Sequence, residues 1–171
     1  CSGYPISVNG VTWLTSEALY QALRFPKRAD IQEIIRNERS PMAAKMKSKP
    51  YRSSCSRVDW DEVRVNAMLW CLAAKLIANE DKFGGLLRSS ISHDVVEDSH
   101  KDRFWGAVKV SDDYLLGQNV LGVLIMRLRS MWRRDGMDAI REIRPPEGTE
   151  LLGASELVVS PQESEGQQTL F

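Results

Sequence analysis

The 171-residue sequence has few cysteines and histidines and no long apolar run. Its three cysteines (Cys1, Cys55 and Cys71) form no CxxC pair, and His93 and His100 are not at zinc-ligand spacing. These absences disfavour a disulfide framework and a structural zinc site, and they favour a reducing, cytoplasmic compartment. No apolar stretch approaches the roughly 18 residues that span a bilayer, so we expect no membrane association. The sequence therefore predicts no metal site and no cofactor.

The sequence also lacks an initiator Met, a secretory signal and an overall charge. It opens with Cys-Ser-Gly, so we expect that the natural N-terminus lies upstream. Residues 145–171 hold five of the 23 acidic residues and no Lys or Arg, which leaves 18 acids against 23 bases in residues 1–144. This asymmetry predicts a basic body that can bind phosphates and an acidic segment that would repel them.

Residues 15–133 carry helix signals, whereas sustained strand alternation is missing. Helix starts are predicted at Thr15, Ile31, Ser40-Pro41, Asp59 (as part of a capping-box-like Asp-Trp-Asp-Glu) and Asn119, with ends near Arg24, Glu38, Asn79 and Arg133. Predicted core residues are Val65, Leu69, Leu72, Leu76, Val120, Leu121, Leu124, Leu128, Met131, Trp60, Trp70 and Trp132, while Trp13 is undecided.

Short extended and loop segments flank these helices. An Asn9-Gly10 turn lies in the extended start, and the helical period is lost from Pro145 onward. We therefore predict one compact, mainly α-helical domain over residues 1–144 with minor β elements, followed by a flexible acidic tail over residues 145–171.

The first predicted helix carries chemistry-bearing side chains on one face. Glu17, Tyr20, Gln21 and Arg24 follow i, i+3, i+4, i+7 spacing. The alternative is a solvated face with a Glu–Gln contact and an acid favoured by the helix start.

Residues 39–58 contain six basic side chains and no acid. They favour a phosphate site at the helix start of Ser40-Pro41, although a basic loop without a ligand is the alternative. Lys45 lies one turn into this helix beside Ala43, Ala44 and Met46, so we expect partial desolvation. A desolvated Lys has a lowered pKa and can act as an amine nucleophile or base.

The segment Asp102–Gly106 places a carboxylate three residues before Trp105, whose neighbour Gly106 has no side chain. Such a loop can stack a ring on the Trp while the Gly backbone approaches a ligand. The alternative is a core Trp followed by a turn. The stretch 117–122 lacks GxGxxG spacing and follows no strand, which excludes a dinucleotide-binding fold.

Together, these patterns resemble the NADAR (YbiA-like) domain family over about residues 5–133. The motifs are Thr15–Ala22, Ser40–Lys45, Asp59-Trp60, Asp102–Gly106 and Gly117-x-Asn119-x-Leu121-Gly122-x-x-Ile125-Met126-x-x-Arg129. The family normally has His and Lys where this chain has Ala18 and Arg24. It also has an aromatic-rich Ser-Asn segment that helps to build the pocket, and this chain starts just after that segment's expected place.

The resemblance implies a mainly helical N-glycosidase. Some members remove ADP-ribose from guanine bases in nucleic acid, which reverses a toxin-type modification, and others split phosphoribosylated pyrimidine intermediates of riboflavin synthesis. The catalytic residues implied are Glu17, Lys45 and Asp102. The ligand-binding residues are Arg39, Lys49 and Arg64 for the diphosphate, Trp60 and Trp105 for stacking, Asn119 for sugar hydroxyls, and Tyr20, Gln21 and Gly106.

The preferred expectation is removal of ADP-ribose from guanine in DNA. The alternatives are riboflavin-intermediate cleavage, a non-hydrolytic ADP-ribose reader and a partner-recruiting adaptor. The last five residues, Gln167 to Phe171, resemble the Gln-x-x-Leu-Phe peptides that dock on bacterial sliding clamps. Leu170 and Phe171 would enter an apolar cleft and Gln167 would bond at its edge, with the preceding acidic segment as a tether.

Overall fold

The structure, a computed structural model, describes residues 4–162 and begins with a tight hairpin. Asn9 (φ 50°) and Gly10 (φ 74°) both adopt the left-handed conformation that a two-residue turn requires. Strand β1 (Ile6–Val8) consequently pairs antiparallel with β2 (Val11–Trp13). The predicted Asn9-Gly10 turn is therefore confirmed, and the hairpin buries Trp13 completely.

Helices make up most of the described chain. They are α1 (Ser16–Leu23), α2 (Ala29–Arg36), α3 (Pro41–Ser48), α4 (Arg52–Cys55), α5 (Trp60–Ala78), α6 (Gly85–Ser89) and α7 (Val120–Arg141), with a 3-10 turn at Lys49–Tyr51 and a π-helical turn at Glu80–Gly84. None of the helices described between residues 4 and 162 is long and apolar enough to cross a membrane. The predicted mainly α class with minor β elements is confirmed.

Side-chain capping explains where α1 and α3 begin. The Thr15 hydroxyl accepts from Ala18 N at 3.0 Å, and the Ser40 hydroxyl accepts from Ala43 N at 3.0 Å, as predicted. Asp59 occupies the N-cap position of α5 but makes no capping bond, because its carboxylate pairs with Arg57 at 2.6 Å. The predicted capping box at this helix is therefore wrong, although the helix starts where expected.

The core lies where α5 packs against both α1 and α7. Its larger buried side chains are Leu19, Leu23, Trp60, Trp70, Leu72, Leu76, Leu124 and Leu128, whereas Val65, Leu69, Val120, Leu121, Met131 and Trp132 pack on it half-buried. Helix α7 is interrupted at Gly136 (φ 80°, ψ −174°), three residues after the predicted end at Arg133. A second hairpin joins β3 (Val108–Ser111) to β4 (Tyr114–Leu116). The stretch 117–122 therefore does follow a strand, contrary to the prediction, although it still lacks GxGxxG spacing.

The described chain after Pro145 differs from the predicted flexible tail. Strand β5 (Val159–Ser160) pairs with β1, and Thr149 and Leu151 are buried. The Gln32 amide donates to Glu150 O and accepts from Leu152 N. The prediction of flexibility is therefore wrong for residues 146–162, because long-range hydrogen bonds hold a segment without helical period. The predicted clamp motif at Gln167, Leu170 and Phe171 lies outside the described residues.

Candidate active site

A cavity of about 720 Å³ opens between α1, α3, α5 and the loop over residues 97–106. Its volume falls in the range typical of small-molecule sites. Nine of the twelve predicted site residues line it: Glu17, Tyr20, Gln21, Lys45, Trp60, Arg64, Asp102, Trp105 and Gly106. The structure thus brings together side chains that are up to 89 positions apart in the sequence.

Glu17 gives the cavity a carboxyl group with a raised pKa. Burial raises its pKa, and nearby Glu97 acts in the same direction. A hydrogen bond from the Gln21 amide at 2.8 Å and the charges of Lys45 and Arg52 oppose the rise without cancelling it. A carboxyl group with a raised pKa keeps its proton closer to neutral pH, which suits a general acid.

Gln21 is buried and has only one orientation that satisfies its neighbours. Its Oε1 accepts from the Ser48 hydroxyl at 2.7 Å and from Arg52 Nη2 at 3.2 Å. The amide nitrogen must therefore face Glu17, to which it donates. Since Tyr20 and Gln21 are buried, the solvated-face alternative for this helix is wrong, although the Glu–Gln contact it included is present.

Aromatic rings form one wall of the cavity. The Tyr20 ring centroid lies 5.1 Å from that of Trp60 and 5.7 Å from that of Trp105, and Phe104 packs edge-on to Trp105 at 5.1 Å. Burial and the nearby Glu17 raise the pKa of Tyr20. The phenol therefore stays protonated and can donate a hydrogen bond.

The guanidinium groups of Arg24 and Arg64 lie against this aromatic wall. Arg24 Cζ is 4.7 Å from the Trp60 ring centroid, and Arg64 Cζ is 4.0 Å from that of Phe104. The Nε atoms of both arginines are buried and have no hydrogen-bond partner among the described residues. Burial, followed by the charge of Arg52, lowers the pKa of Arg24. Because buried donors are normally paired, this arrangement favours an anionic ligand.

Asp102 shapes the loop that closes the cavity. Its Oδ1 accepts from Phe104 N at 3.0 Å and from Trp105 N at 2.9 Å, and its own N donates to the Ser99 hydroxyl. A side chain at Gly106 would collide with the Glu97 carbonyl, so the glycine allows the loop to pack on itself. Asp102 and Gly106 both line the cavity, and their contacts hold the loop in its observed conformation.

Three predicted site residues lie outside the cavity lining. Arg39 and Lys49 are exposed at the two ends of α3. Asn119 donates to Val95 O at 2.8 Å and accepts from Glu97 N at 3.0 Å, so it anchors the loop from behind.

The prediction that Lys45 is partly desolvated is wrong. Its side chain lines the cavity, but the residue is exposed because α3 buries only the face of Ala44 and Ser48. Lys45 therefore reaches the site from the solvent side, within electrostatic range of Glu17.

Several lining residues were not predicted: Arg24, Met42, Arg52, Met68, Glu97, Asp98, Ser99, His100, Lys101, Phe104 and Leu121. Arg24 lies on the predicted functional face of the first helix, and Arg52 lies in the basic segment 39–58. Their positive charge was therefore a signal from which a role in the site could have been predicted. Residues 97–101 carry no such pattern. They are held at the site by backbone bonds from Glu97 and Ser99 to Ala107 and by the Asn119 side chain. Within residues 4–162, no group of three His, Cys, Asp or Glu side chains is arranged to hold a metal ion.

The chain is similar to known proteins in sequence and in fold. N-glycosidase YbiA from Escherichia coli (strain K12) is 34% identical over 128 residues, which cover 75% of this chain and 76% of that protein. A riboflavin biosynthesis protein from Vibrio vulnificus (strain YJ016) is 33% identical over 128 residues, but the match spans 33% of its length. The NMR structure of E. coli YbiA matches with a TM-score of 0.63 at 33% identity, covering 76% of this chain and 73% of that one. The family model of the NADAR domain matches residues 2–133, and the chain therefore belongs to the NADAR domain family.

Proposed function

We propose that this chain is an N-glycosidase that hydrolyses an N-ribosyl bond, and that its substrate is ADP-ribose attached to a guanine base in DNA. The observation that carries the proposal is the half-buried Glu17 carboxyl, with its raised pKa, in a cavity lined by aromatic rings and guanidinium groups. The reaction class is supported by relatives that are named N-glycosidases.

Cleavage of the bond between an anomeric carbon and a base nitrogen has two requirements. Positive charge develops on the sugar, and the departing base needs a proton. Glu17 meets the second requirement because its raised pKa keeps a protonated carboxyl available. After proton transfer its carboxylate can stabilise the sugar cation, and Gln21 holds it in place through the bond at 2.8 Å.

Lys45 is the proposed nucleophile. Solvent first takes a proton from the exposed Lys45 ammonium group. The Nζ lone pair then attacks the anomeric carbon, the carbon–nitrogen bond breaks, and its electron pair leaves with the base, which takes the Glu17 proton. Loss of a proton from Nζ and opening of the sugar ring then give an imine. Water hydrolyses this imine to free ADP-ribose and regenerates the amine. The cavity position of Lys45 within electrostatic range of Glu17 supports this assignment.

The cationic groups favour a diphosphate ligand. Arg24 and Arg64 each have a buried Nε that makes no hydrogen bond within residues 4–162, although Arg64 Nε lies 3.8 Å from the Asp61 carboxylate. Arg52 lines the same cavity. Several separate guanidinium groups fit two phosphoryl groups better than the single phosphate of a phosphoribosyl ligand. Trp60 is only 5% exposed, so Trp105, which is half-buried, is the better stacking surface for a base.

A second candidate is cleavage of phosphoribosylated pyrimidines. The observation in its favour is the similarity to a riboflavin biosynthesis protein over 74% of this chain. This reaction uses the same acid, nucleophile and bond type, and it differs in having one phosphate.

The deciding experiment incubates the full chain with an ADP-ribosylated guanine oligonucleotide and, separately, with a phosphoribosylaminopyrimidine. Released ADP-ribose or ribose phosphate is quantified by mass spectrometry, with Glu17→Gln as the matched control because the amide keeps the shape but donates no acidic proton. Release of ADP-ribose by the native chain alone supports the proposal. Release from the pyrimidine alone supports the second candidate, and binding without release contradicts both and indicates a reader.

A further inference from the structure

The outer face of α3 is unusually exposed and apolar for a helix in a basic segment. Met42 is 69% exposed and Met46 is 55% exposed, while Ala44 and Ser48 on the opposite face are fully buried. Met42, Lys45, Met46 and Lys49 follow i, i+3, i+4, i+7 spacing, so they form one continuous stripe. We call this stripe the Met–Lys face.

The Met–Lys face leads directly out of the cavity. Met42 and Lys45 line the cavity, whereas Met46 and Lys49 continue the same stripe onto the surface. From Met42 to Lys49 the helix rises about 10 Å, which corresponds to the length of about three nucleotides of a nucleic-acid strand.

The segment that carries the Met–Lys face is basic, whereas the cavity to which it leads is also lined by Glu97, Asp98 and Asp102. Residues 39–58 contain six Lys and Arg side chains and no Asp or Glu. The acidic neighbour Glu38 lies 3.8 Å from Lys47, which is on a different side of α3 from the stripe. Exposed Arg39, one residue before the Ser40 cap, adds a further cation at the start of the helix.

We infer that the Met–Lys face binds a single strand of nucleic acid and guides a modified base into the cavity. Lysine and arginine would contact phosphates, and the methionine side chains would pack on the faces of unstacked bases. The inference rests on the proposed function and extends it, because it explains how the site would prefer a modified base in a strand over a free nucleotide. It also gives Arg39 and Lys49 a role outside the cavity.

The test measures binding of an unmodified, fluorescently labelled single-stranded DNA to the full chain by anisotropy over a range of salt concentrations. The double variant Arg39→Gln, Lys49→Gln removes two cations outside the cavity lining. The matched control, Lys27→Gln, Lys82→Gln, removes the same charge from exposed positions outside α3.

Each lost phosphate contact should lower the salt slope by about 0.7, so the double variant should lose about 1.4 and bind about 20-fold more weakly at 0.1 M salt. The control pair should change affinity less than twofold. Met46→Ser should weaken binding at every salt concentration with an unchanged slope, because it removes an apolar contact and no charge. An unchanged affinity in the double variant, or an equal loss in the control pair, would overturn the inference.

Because this binding assay needs no turnover, its result is separable from the proposed function. If the native chain binds the strand through the Met–Lys face but releases no ADP-ribose, only the proposed function fails. If the Arg39→Gln, Lys49→Gln variant releases ADP-ribose from the modified oligonucleotide with the native kcat/KM and salt dependence, the inference fails and the proposed function stands.

Discussion

Lys75 is a buried cation in α5 that the proposed reaction does not use. It is 4% exposed, and its Nζ lies 4.3 Å from the ring centroid of Tyr4 and 4.1 Å from that of Phe83. Burial lowers the pKa of Lys75 from 10.5 to about 8. Below pH 8 the folded protein therefore holds a charge in an apolar site, which costs stability.

The perturbation is Lys75→Met, which keeps the length of the side chain and removes the charge. The difference between a pKa of 10.5 and one of about 8 corresponds to about 3 kcal/mol. The two aromatic rings offset this cost by about 0.5–1 kcal/mol each. We expect the variant to be about 1–2 kcal/mol more stable than the native chain at pH 7.

The pH dependence follows from the lowered pKa in the folded state. Between pH 8 and 10.5 the unfolded chain binds a proton at Lys75 that the folded chain does not, so native stability rises with pH across this window. Above pH 10.5 the amine is neutral in both states and the burial cost is absent. The advantage of Lys75→Met should therefore be complete below pH 8 and disappear as pH approaches 10.5.

Urea unfolding at several pH values between 7 and 10.5 measures this difference directly. Lys82→Met is the matched control, because it makes the same substitution at an exposed position. A Lys75→Met variant that is less stable than the native chain at pH 7 would refute the reasoning. A stability difference that stays constant across the pH range would refute it equally.

Three further predictions concern the proposed reaction and its partner. Glu17→Gln should lower kcat by about 10²–10⁴-fold with little change in the Kd for ADP-ribose measured by calorimetry, and an equal loss in both would make Glu17 a binding group. Lys45→Ala should abolish turnover with an unchanged thermal melting curve, and borohydride should trap substrate on Lys45 of the native chain; full activity of the variant would remove Lys45 from the mechanism. A labelled peptide of residues 161–171 should bind a bacterial sliding clamp more tightly than the same peptide with Leu170 and Phe171 changed to Ala, and equal binding would contradict the clamp prediction.

Features that depend on neighbouring residues were predictable from the sequence. The Thr15 and Ser40 caps bond to backbone three residues away, so their residue types alone predict where α1 and α3 begin. The Asn9-Gly10 turn is equally local, since only its own two residues must adopt positive φ. The failed capping box at Asp59 shows the limit of such rules, because Arg57 competes for the same carboxylate.

The residue types of the candidate site were also largely predictable, because acid–base and phosphate chemistry requires particular side chains. The surroundings of these side chains were not predictable. Gln21 is oriented by Ser48 and Arg52, which lie 27 and 31 positions away, and the raised pKa of Glu17 follows from the burial that this packing creates. No local pattern indicates that Lys45 remains exposed.

Only the tertiary structure decided which distant segments meet. Asn119 bonds to the Glu97 backbone across 22 positions, and Ala107 pairs with the same segment. Together they hold residues 97–101 at the cavity although their sequence carries no motif. Ser160 pairs with Ser7, which anchors a segment that composition alone marks as a flexible tail. The sequence alone determined local backbone preferences and the available chemistry, because both are properties of single residues and their neighbours. Burial, side-chain orientation and edge pairing depend on contacts between remote segments, and these exist only once the chain has folded.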